Sequence, residues 1–359
     1  MNIFAKGKEV MNGKILYSQL FVMLILFETF EILSYSERLG DASYNGSVLV
    51  AIVLSFVLRA IILIPAYFVY KQKGEQESCI TANGKFTSKA QSLLNAGYVL
   101  LLTAFACADN IRFCHFITVC PVPDFSAAWI SLLLIAGAVY CALKGREAVF
   151  RAGTLITFAV LIATILMVVM MAISTKQGAY TSVMYDFDSS DILKNTMKIT
   201  GGSLSIPVLL LFLYGAKGNA VRGFWWWNTA ITALMLAIFA AVFCNLGTFG
   251  KQNVFPVYVA INAASFGVLR RFDALFMCTL ALGLVIRLAA VFLLIKEFAK
   301  GYYKGILLLC ALAVFIAGVA ARSAQTVITL NNPYFKLTAI IVLAIALPCA
   351  MLLKGRRVA

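Results

Sequence analysis

Charged residues are scarce in this sequence, and so are the motifs of common enzymes. Charged residues make up 13% of the 359 residues, about half their usual share of about 25% in a soluble domain. There is one histidine, and the chain contains no GxSxG, GxxxxGK[ST] or HExxH motif. The nine cysteines form no CxxC pair, which argues against a disulfide framework and a zinc site. We therefore expect no enzyme activity, no cofactor and no bound metal.

Apolar residues dominate the sequence instead. Hydrophobic residues make up 62% of the chain and the mean hydropathy is +0.93. Apolar stretches long enough for a helical span of roughly 20 residues recur about every 30 residues. The net charge of +15 is spread singly between these stretches, which is not the pattern of a nucleic-acid-binding patch. The sequence predicts an all-α integral membrane protein, with residues 1–359 forming a single polytopic domain in a lipid bilayer.

Apolar runs bounded by charge, proline and glycine predict ten transmembrane helices. On their inner side lie 18 Lys and Arg residues, against 8 on the outer side, so the positive-inside rule favours cytoplasmic N and C termini. The connection 247–271 carries an apolar run too short to span, which predicts an interfacial or re-entrant helix. The predicted spans are 15–36, 45–70, 91–119, 126–143, 150–174, 196–215, 224–246, 272–296, 304–322 and 337–353.

Ionisable residues inside predicted spans are the first functional candidates, because a charge in the membrane costs several kcal/mol. Glu28 and Glu31 are three residues apart and share one face of the first helix. They need a cationic partner, a proton or water, or they form a ligand or proton site. The candidate partners are Arg59, Arg112 and Arg287, each inside a predicted span of its own.

Two further patterns concern the third and sixth predicted helices. Asp109 lies three residues before Arg112, so we expect the two side chains to pair along one helix face. The sixth helix opens with ITGGSLSIP, in which small residues and a proline weaken the helical backbone. This pattern indicates either a helix broken around a ligand or a small-residue packing face. The residues concerned are Gly201, Gly202, Ser203 and Ser205.

Five local patterns, in order along nearly the whole chain, resemble one family. The first two are YSQLFVMLILF and LGDASYNGSVLVAIVL, in which Asp41-Ala42 and Tyr44 approximate an Asp-Ala-aromatic motif. The next two are NIRFCHFITVCPVPDFS and KGREAVFRAGTLI, with Gly145, Glu147 and Arg151 in a Gly-x-Glu-x-x-x-Arg pattern. The last is FPVYVAINAASFGVLRRFDALF, with Arg271 and Asp273. Together they are similar to the GerB-type spore germination permeases of the amino acid/polyamine/organocation transporter superfamily.

This resemblance implies a fold and a function. It implies two inverted five-helix repeats, 1–174 and 196–353, with the first and sixth helices broken around a central site, and Glu147 with Arg151 bracing the inner surface. The implied role is a nutrient sensor in the spore inner membrane that triggers germination together with a GerA-type membrane subunit and a GerC-type lipoprotein. The implied ligand residues are Phe27 to Glu31 (with Glu28, Thr29, Phe30 and Glu31), Gly201 to Ser205, Thr103 and Cys107.

The first helix departs from the family pattern. Relatives place a glycine and then a proline where this helix breaks, whereas this chain has Glu28-Thr29-Phe30-Glu31 and no proline before Asp41. A Cβ at each position makes the break harder to form. A cationic ligand, a protonated glutamate and a degenerate site are each consistent with this sequence. A proton- or cation-coupled amino acid or polyamine transporter, or a scaffold without a ligand, remain alternative functions.

Overall fold

The computed structural model of the chain describes most of its residues. The described residues are 15–37, 41–73, 88–119, 126–174, 186–212, 216–217, 219–264, 272–299, 302–320, 332–342 and 344. They are almost entirely helical, apart from a parallel pairing of β1 (Ile15–Leu16) with β2 (Ala216–Lys217). This pairing ties the start of the first helix to the chain that follows the split sixth one.

The first five helices agree with the first five predicted spans to within a few residues. They are α1 (Tyr17–Leu33), α2 (Ser47–Lys73), α3 (Ser88–Val119), α4 (Ala127–Lys144) and α5 (Arg146–Ser174). The following helices are α6 (Ser189–Gly201), α7 (Ser205–Phe212), α8 (Ala220–Leu246), α9 (Pro256–Ala263), α10 (Asp273–Ala299), α11 (Tyr303–Ala320) and α12 (Pro333–Val342).

Seven of the described helices are long and apolar enough to cross a membrane: α2, α3, α4, α5, α8, α10 and α11. The chain is therefore a multi-pass membrane protein. Within its most apolar stretch, α10 is 78% buried, whereas α4 is 22% and α11 is 28% buried. Helix α10 is accordingly the central element, packed against α1, α3, α4, α5 and α11. Helices α4 and α11 present apolar faces outward, as lipid-facing helices do.

The predicted sixth helix is split into α6 and α7 by residues 202–204. The amide of Gly202 bonds to the carbonyl of Lys198 (3.0 Å), and the amide of Leu204 bonds back to the Gly202 carbonyl (3.0 Å), which turns the chain before α7 begins at Ser205. The predicted interruption at Gly201 to Ser205 is therefore present. It places non-helical backbone inside the bundle, where protein groups satisfy it.

The first helix is continuous, so the break that the family resemblance implies is absent. Helix α1 runs from Tyr17 to Leu33 without interruption. The Thr29 hydroxyl donates to the Ile25 carbonyl one turn earlier (2.8 Å) and joins the helical hydrogen-bond pattern. The physical reason is the one visible in the sequence, because no glycine or proline weakens this stretch.

Helix α6 docks along α2 near the loop that joins α1 to α2. Its first residues are capped by Asp188, whose carboxylate accepts hydrogen bonds from the amide and the hydroxyl of Ser190. These two bonds lower the pKa of Asp188. Asn45 donates to Asp191 (3.1 Å) and the Ser43 amide donates to Asn195 (2.9 Å). These bonds fix the first half of the split helix against the α1–α2 loop.

The connection after α8 contains the predicted short helix. Helix α9 covers Pro256–Ala263, only eight residues, and most of them are buried. The ring of Phe116 in α3 packs edge-on against Phe255 (5.1 Å between centroids) and against Tyr258 (5.3 Å). Such aromatic packing stabilises a helix that is too short to be stable alone.

Gly201 and Gly202 have different surroundings, although both were predicted as ligand residues. A Cβ on Gly201 would lie 2.5 Å from the Pro333 carbonyl oxygen and 3.0 Å from the Cβ of Leu337, both in α12. A Cβ on Gly202 would lie no closer than 3.6 Å to any atom. Gly201 therefore permits a close helix contact, which is the packing role considered for this motif.

We expect Gly201→Ala to lower the free energy of unfolding by about 1–3 kcal/mol, because the α12 backbone has to move away. Gly202→Ala is the matched control and should be close to neutral in packing. Thermal unfolding of the two purified variants in detergent measures the difference. Equal melting temperatures for both variants would contradict the assigned contact.

Candidate functional site

Five charged side chains form an alternating chain of ion pairs at the centre of the bundle. In order they are Asp109, Arg287, Glu31, Arg112 and Asp41, contributed by α3, α10, α1, α3 and the α1–α2 loop. Each of the two cations lies between two anions, and the one inner anion, Glu31, lies between the two cations. This arrangement allows charged groups to persist in a low-dielectric interior.

Arg287 makes four hydrogen bonds with its guanidinium group. Its Nε and Nη2 donate to the two carboxylate oxygens of Asp109 (2.8 and 3.1 Å), and Nη2 also donates to Oε1 of Glu31 (2.9 Å). Its Nη1 donates to the Phe27 carbonyl in α1 (2.6 Å). The Phe30 ring lies 5.0 Å from the guanidinium carbon, so a cation–π contact adds to these bonds. Arg287 thus joins α10 to both α1 and α3.

Arg112 continues the chain toward the α1–α2 loop. Its Nη1 donates to Oε2 of Glu31 (2.8 Å) and its Nη2 to Oδ1 of Asp41 (2.9 Å). The other carboxylate oxygen of Asp41 accepts from the Ser36 amide (2.8 Å). Asp41, singled out as part of a family motif, therefore ends the network and orders the loop after α1.

Two lysines lie at the edges of this network. Lys198 of α6 donates to the backbone carbonyl of Asp41 (3.2 Å). Lys336 of α12 is buried, and its charge interacts with those of Glu31, Asp109 and Asp41. The three carboxylates of this network therefore have two lysines near them in addition to the two arginines.

Glu28 connects α1 to the break between α6 and α7. One carboxylate oxygen, Oε1, accepts hydrogen bonds from the hydroxyls of Ser203 and Ser205. The other oxygen, Oε2, lies 3.7 Å from Nη2 of Arg59, outside hydrogen-bond distance. Glu28 is 1% and Arg59 0% exposed. This pair is more loosely joined than the ion pairs around Glu31.

A cavity of about 40 Å³ lies beside these groups. By volume it holds about three water-sized groups. Its apolar wall includes Tyr35 and Phe239, whose rings meet edge-on at 4.8 Å. Gly202 also lines it. Its charged wall consists of Glu28, Glu31, Asp41, Arg112 and Lys198.

The structure brings together about half of the predicted ligand residues. Glu28, Glu31 and Gly202 line the cavity, and Ser203 and Ser205 bind Glu28. The other predicted ligand residues, Thr29, Phe30, Gly201, Thr103 and Cys107, do not line it.

These exceptions have local causes. Thr29 and Thr103 donate to carbonyls of their own helices, and Phe30 packs against Arg287. Cys107 packs against the apolar core, and Gly201 faces α12.

The predicted pairing of Asp109 with Arg112 is wrong. Asp109 pairs with Arg287 from another helix, while Arg112 pairs with Glu31 and Asp41. The predicted partners of the two glutamates are correct: Arg59 lies beside Glu28, and Arg112 and Arg287 bind Glu31. Because α10 packs against α3, Arg287 donates to both carboxylate oxygens of Asp109. Such a bidentate ion pair is among the strongest hydrogen-bonded contacts.

The motif at the start of α5 contains an exposed ion pair. Gly145 ends α4 with φ of +100°, a conformation that favours glycine. Glu147 and Arg151 pair within one turn of α5 and are 56% and 64% exposed, and the bracing role that the resemblance implies for them stays a prediction. A contact from the start of α5 to α10 is made by Arg146, which donates through Nε and Nη2 to the two carboxylate oxygens of Glu297.

The remaining motif residues, Arg271 and Asp273, lie around the start of α10, and one buried residue that the sequence analysis missed, Lys336, lies near the start of α12. Asp273 is the first residue of α10 and half-buried, and Arg271 lies outside the described residues. Lys336 comes just before the last predicted span, which begins at residue 337, and the structure places it inside α12. Helix α12 begins at Pro333, where Asn332 accepts from the Tyr334 amide (3.0 Å). Asn332 followed by Pro333 is a helix-start signal. It would have predicted the start of this helix before residue 337, where the hydropathy pattern placed it.

No protein-family model matches the chain, and no curated protein sequence matches it.

The ion-pair network gives a direct test of its structural role. We expect Arg287→Met to lower the free energy of unfolding by about 3–5 kcal/mol, because it leaves Asp109 buried without its main cationic partner. Arg151→Met is the matched control: its pair with Glu147 is exposed, and we expect a change of less than about 1 kcal/mol. Thermal unfolding in detergent measures both, and an equally small effect at Arg287 would contradict the network.

Proposed function

We propose that this chain is the membrane-embedded subunit of a nutrient germinant receptor. In this role it senses a small molecule of the amino acid class in the spore inner membrane and triggers germination. The observation that carries the proposal is the contact of Glu28 in α1 with Ser203 and Ser205 at the break of the sixth span, beside a small cavity that has one charged wall. Interrupted helices at a polar centre are typical of ligand sites in transporter folds.

The same geometry suits a sensor. A ligand in the cavity contacts α1, the α1–α2 loop and the α6–α7 break at once, so its binding energy depends on how these elements are packed. A preference of about 3 kcal/mol for one packing shifts the ratio of two packings by over 100-fold. No transport cycle is needed for such a response.

The finer architecture belongs to the same proposal. Helices α1 to α5 would form one five-helix repeat (1–174), and the split α6–α7 span with α8, α10, α11 and α12 the second (196–353). Both termini would be cytoplasmic. The order of the described helices and the position of the split span support this arrangement, although α1 is not interrupted as α6–α7 is.

The proposed partners follow from the family resemblance. They are a GerA-type membrane subunit and a GerC-type lipoprotein subunit, which would receive the conformational change. The outward apolar faces of α4 and α11 are compatible with contact to lipid or to another membrane helix.

A secondary transporter is the alternative function. The observation that favours it is the loose pairing of Glu28, whose Oε2 is 3.7 Å from Arg59. A buried carboxylate without a firm partner is suited to bind and release a proton or cation during alternating access.

Nutrient-triggered dipicolinate release from spores tests the proposal. In the bacterium that carries the chain, we expect its deletion to abolish the response to one class of nutrient and to leave the others intact. The panel contains amino acids, including lysine and arginine, and also sugars and nucleosides. To exclude redundancy, the deletion is repeated in a strain that lacks the other germinant receptors. If every response still survives, the receptor role is contradicted.

Uptake by proteoliposomes that contain only this chain separates the two functions. A sensor subunit binds its nutrient without net uptake, whereas a transporter accumulates labelled substrate on its own. Accumulation would favour the alternative.

A further inference from the structure

An apolar groove of about 420 Å³ opens on the outer surface of the bundle between α2 and α8. The side chains that line it are aliphatic or aromatic, and none of them lines the central cavity. Ile61 and Trp225 belong to its rim and are 54% and 48% exposed, whereas Phe21 and Leu209 belong to its floor and are 1% and 2% exposed. The groove is therefore a crevice that reaches from the lipid-facing surface down to α1 and α7.

The groove lies at the end of the bundle where α1 and α8 begin. Phe21 is near the start of α1 and Val221 is in the first turn of α8. Along α2 the groove extends from Val57 to Tyr67, which is about 15 Å of helix. Tyr67 and Trp225 lie in the rim, and such aromatic side chains are enriched at the membrane–water interface. The groove therefore runs from the level of the lipid headgroups into the hydrocarbon region.

Arg222 lies beside the interfacial end of this groove. It follows Val221 and precedes Trp225 by three residues, so it shares a helix face with the rim. Its side chain is exposed, and no described acidic residue forms an ion pair with it. A cation without a partner at the interface, next to an apolar crevice, is complementary to a lipid that has a negative headgroup.

The shape of the groove favours a lipid chain over a neighbouring helix. A helix with its side chains is about 10–12 Å across, and close packing of membrane helices uses small residues at the surface. Here the rim carries large exposed side chains, among them Ile61, Ile64 and Trp225, and the floor lies below them on α1 and α7. An empty crevice would lose dispersion contacts, and its apolar walls do not hold water. A flexible hydrocarbon chain can fill it.

We propose that this groove binds an acyl chain of an anionic phospholipid whose headgroup phosphate pairs with Arg222. The bound lipid contacts α1, α2, α7 and α8 at once, so it joins the second half of the split span to its neighbours on the membrane side. The positive-inside rule predicts that this end faces the cytoplasm, and the cytoplasmic leaflet is rich in anionic lipids. The inference does not depend on the proposed receptor role.

Quenching of tryptophan fluorescence by brominated lipids tests the proposal. The chain has four tryptophans, and Trp129→Phe leaves only the three consecutive ones that begin with Trp225 in the rim. The purified full-length variant in detergent micelles is titrated with phosphatidylglycerol or with phosphatidylcholine, both with the same brominated acyl chains. We expect phosphatidylglycerol to quench at about 5-fold lower concentration, because it alone carries a net negative charge. Equal quenching by the two lipids would overturn the proposal.

Substitutions separate the headgroup contact from the acyl-chain contact. Arg222→Gln should abolish the preference for phosphatidylglycerol, whereas Arg151→Gln, at another exposed arginine, should retain it. Ala60→Phe fills the groove and should weaken quenching by both lipids, whereas Ala136→Phe, on the exposed face of α4, should not. An unchanged preference in Arg222→Gln, or unchanged quenching in Ala60→Phe, would contradict the assigned site.

Crosslinking in the native membrane distinguishes a lipid from a protein occupant. A photoactivatable group is attached at Ile61 in the rim, and the full-length chain is irradiated before extraction. We expect the mass of the chain to increase by that of a phospholipid. A crosslink to a second polypeptide instead would assign the groove to a partner helix and overturn the proposal.

Discussion

The structure depends on the guanidinium group of Arg287. It lies midway along α10, the most enclosed of the candidate spans, and joins that helix to Asp109 of α3 and to Glu31 and the Phe27 carbonyl of α1. A charge at this position is tolerated only if its partners are in place, because a buried charge without partners is costly. These charges are therefore paired only when α1, α3 and α10 are packed together.

Helix α1 is continuous although it lies beside this polar centre. Glu28 and Glu31 point their carboxylates toward two different groups of partners, the serines of the α6–α7 break and the two arginines of the network. Irregular backbone lies between α6 and α7, where Ser203 and Ser205 bind Glu28. Helix α1 contributes polar side chains from an unbroken backbone.

The candidate site has a firmly paired half and a loosely paired half. Both carboxylate oxygens of Glu31 accept from arginines, and such a network holds its helices in one arrangement. Around Glu28, the nearest arginine is 3.7 Å away and a small cavity is open beside the carboxylate. The site therefore combines a fixed frame with one buried carboxylate oxygen that has no hydrogen-bond donor among the described residues.

The sequence alone indicated a multi-pass membrane protein, the bounds of most of its long helices, a weak point in the sixth span at residues 201–205, and several of the charges that lie inside the bundle. These features follow from local hydropathy, from glycine and proline, and from the cost of a charge in lipid. It did not determine which charges meet. Arg112 and Asp41 are 71 residues apart and Arg287 and Glu31 are 256 apart, so their pairing depends on how distant helices pack. For the same reason only the tertiary structure replaced the expected pair of Asp109 and Arg112, buried Lys336, and left one oxygen of Glu28 without a hydrogen-bond donor among the described residues.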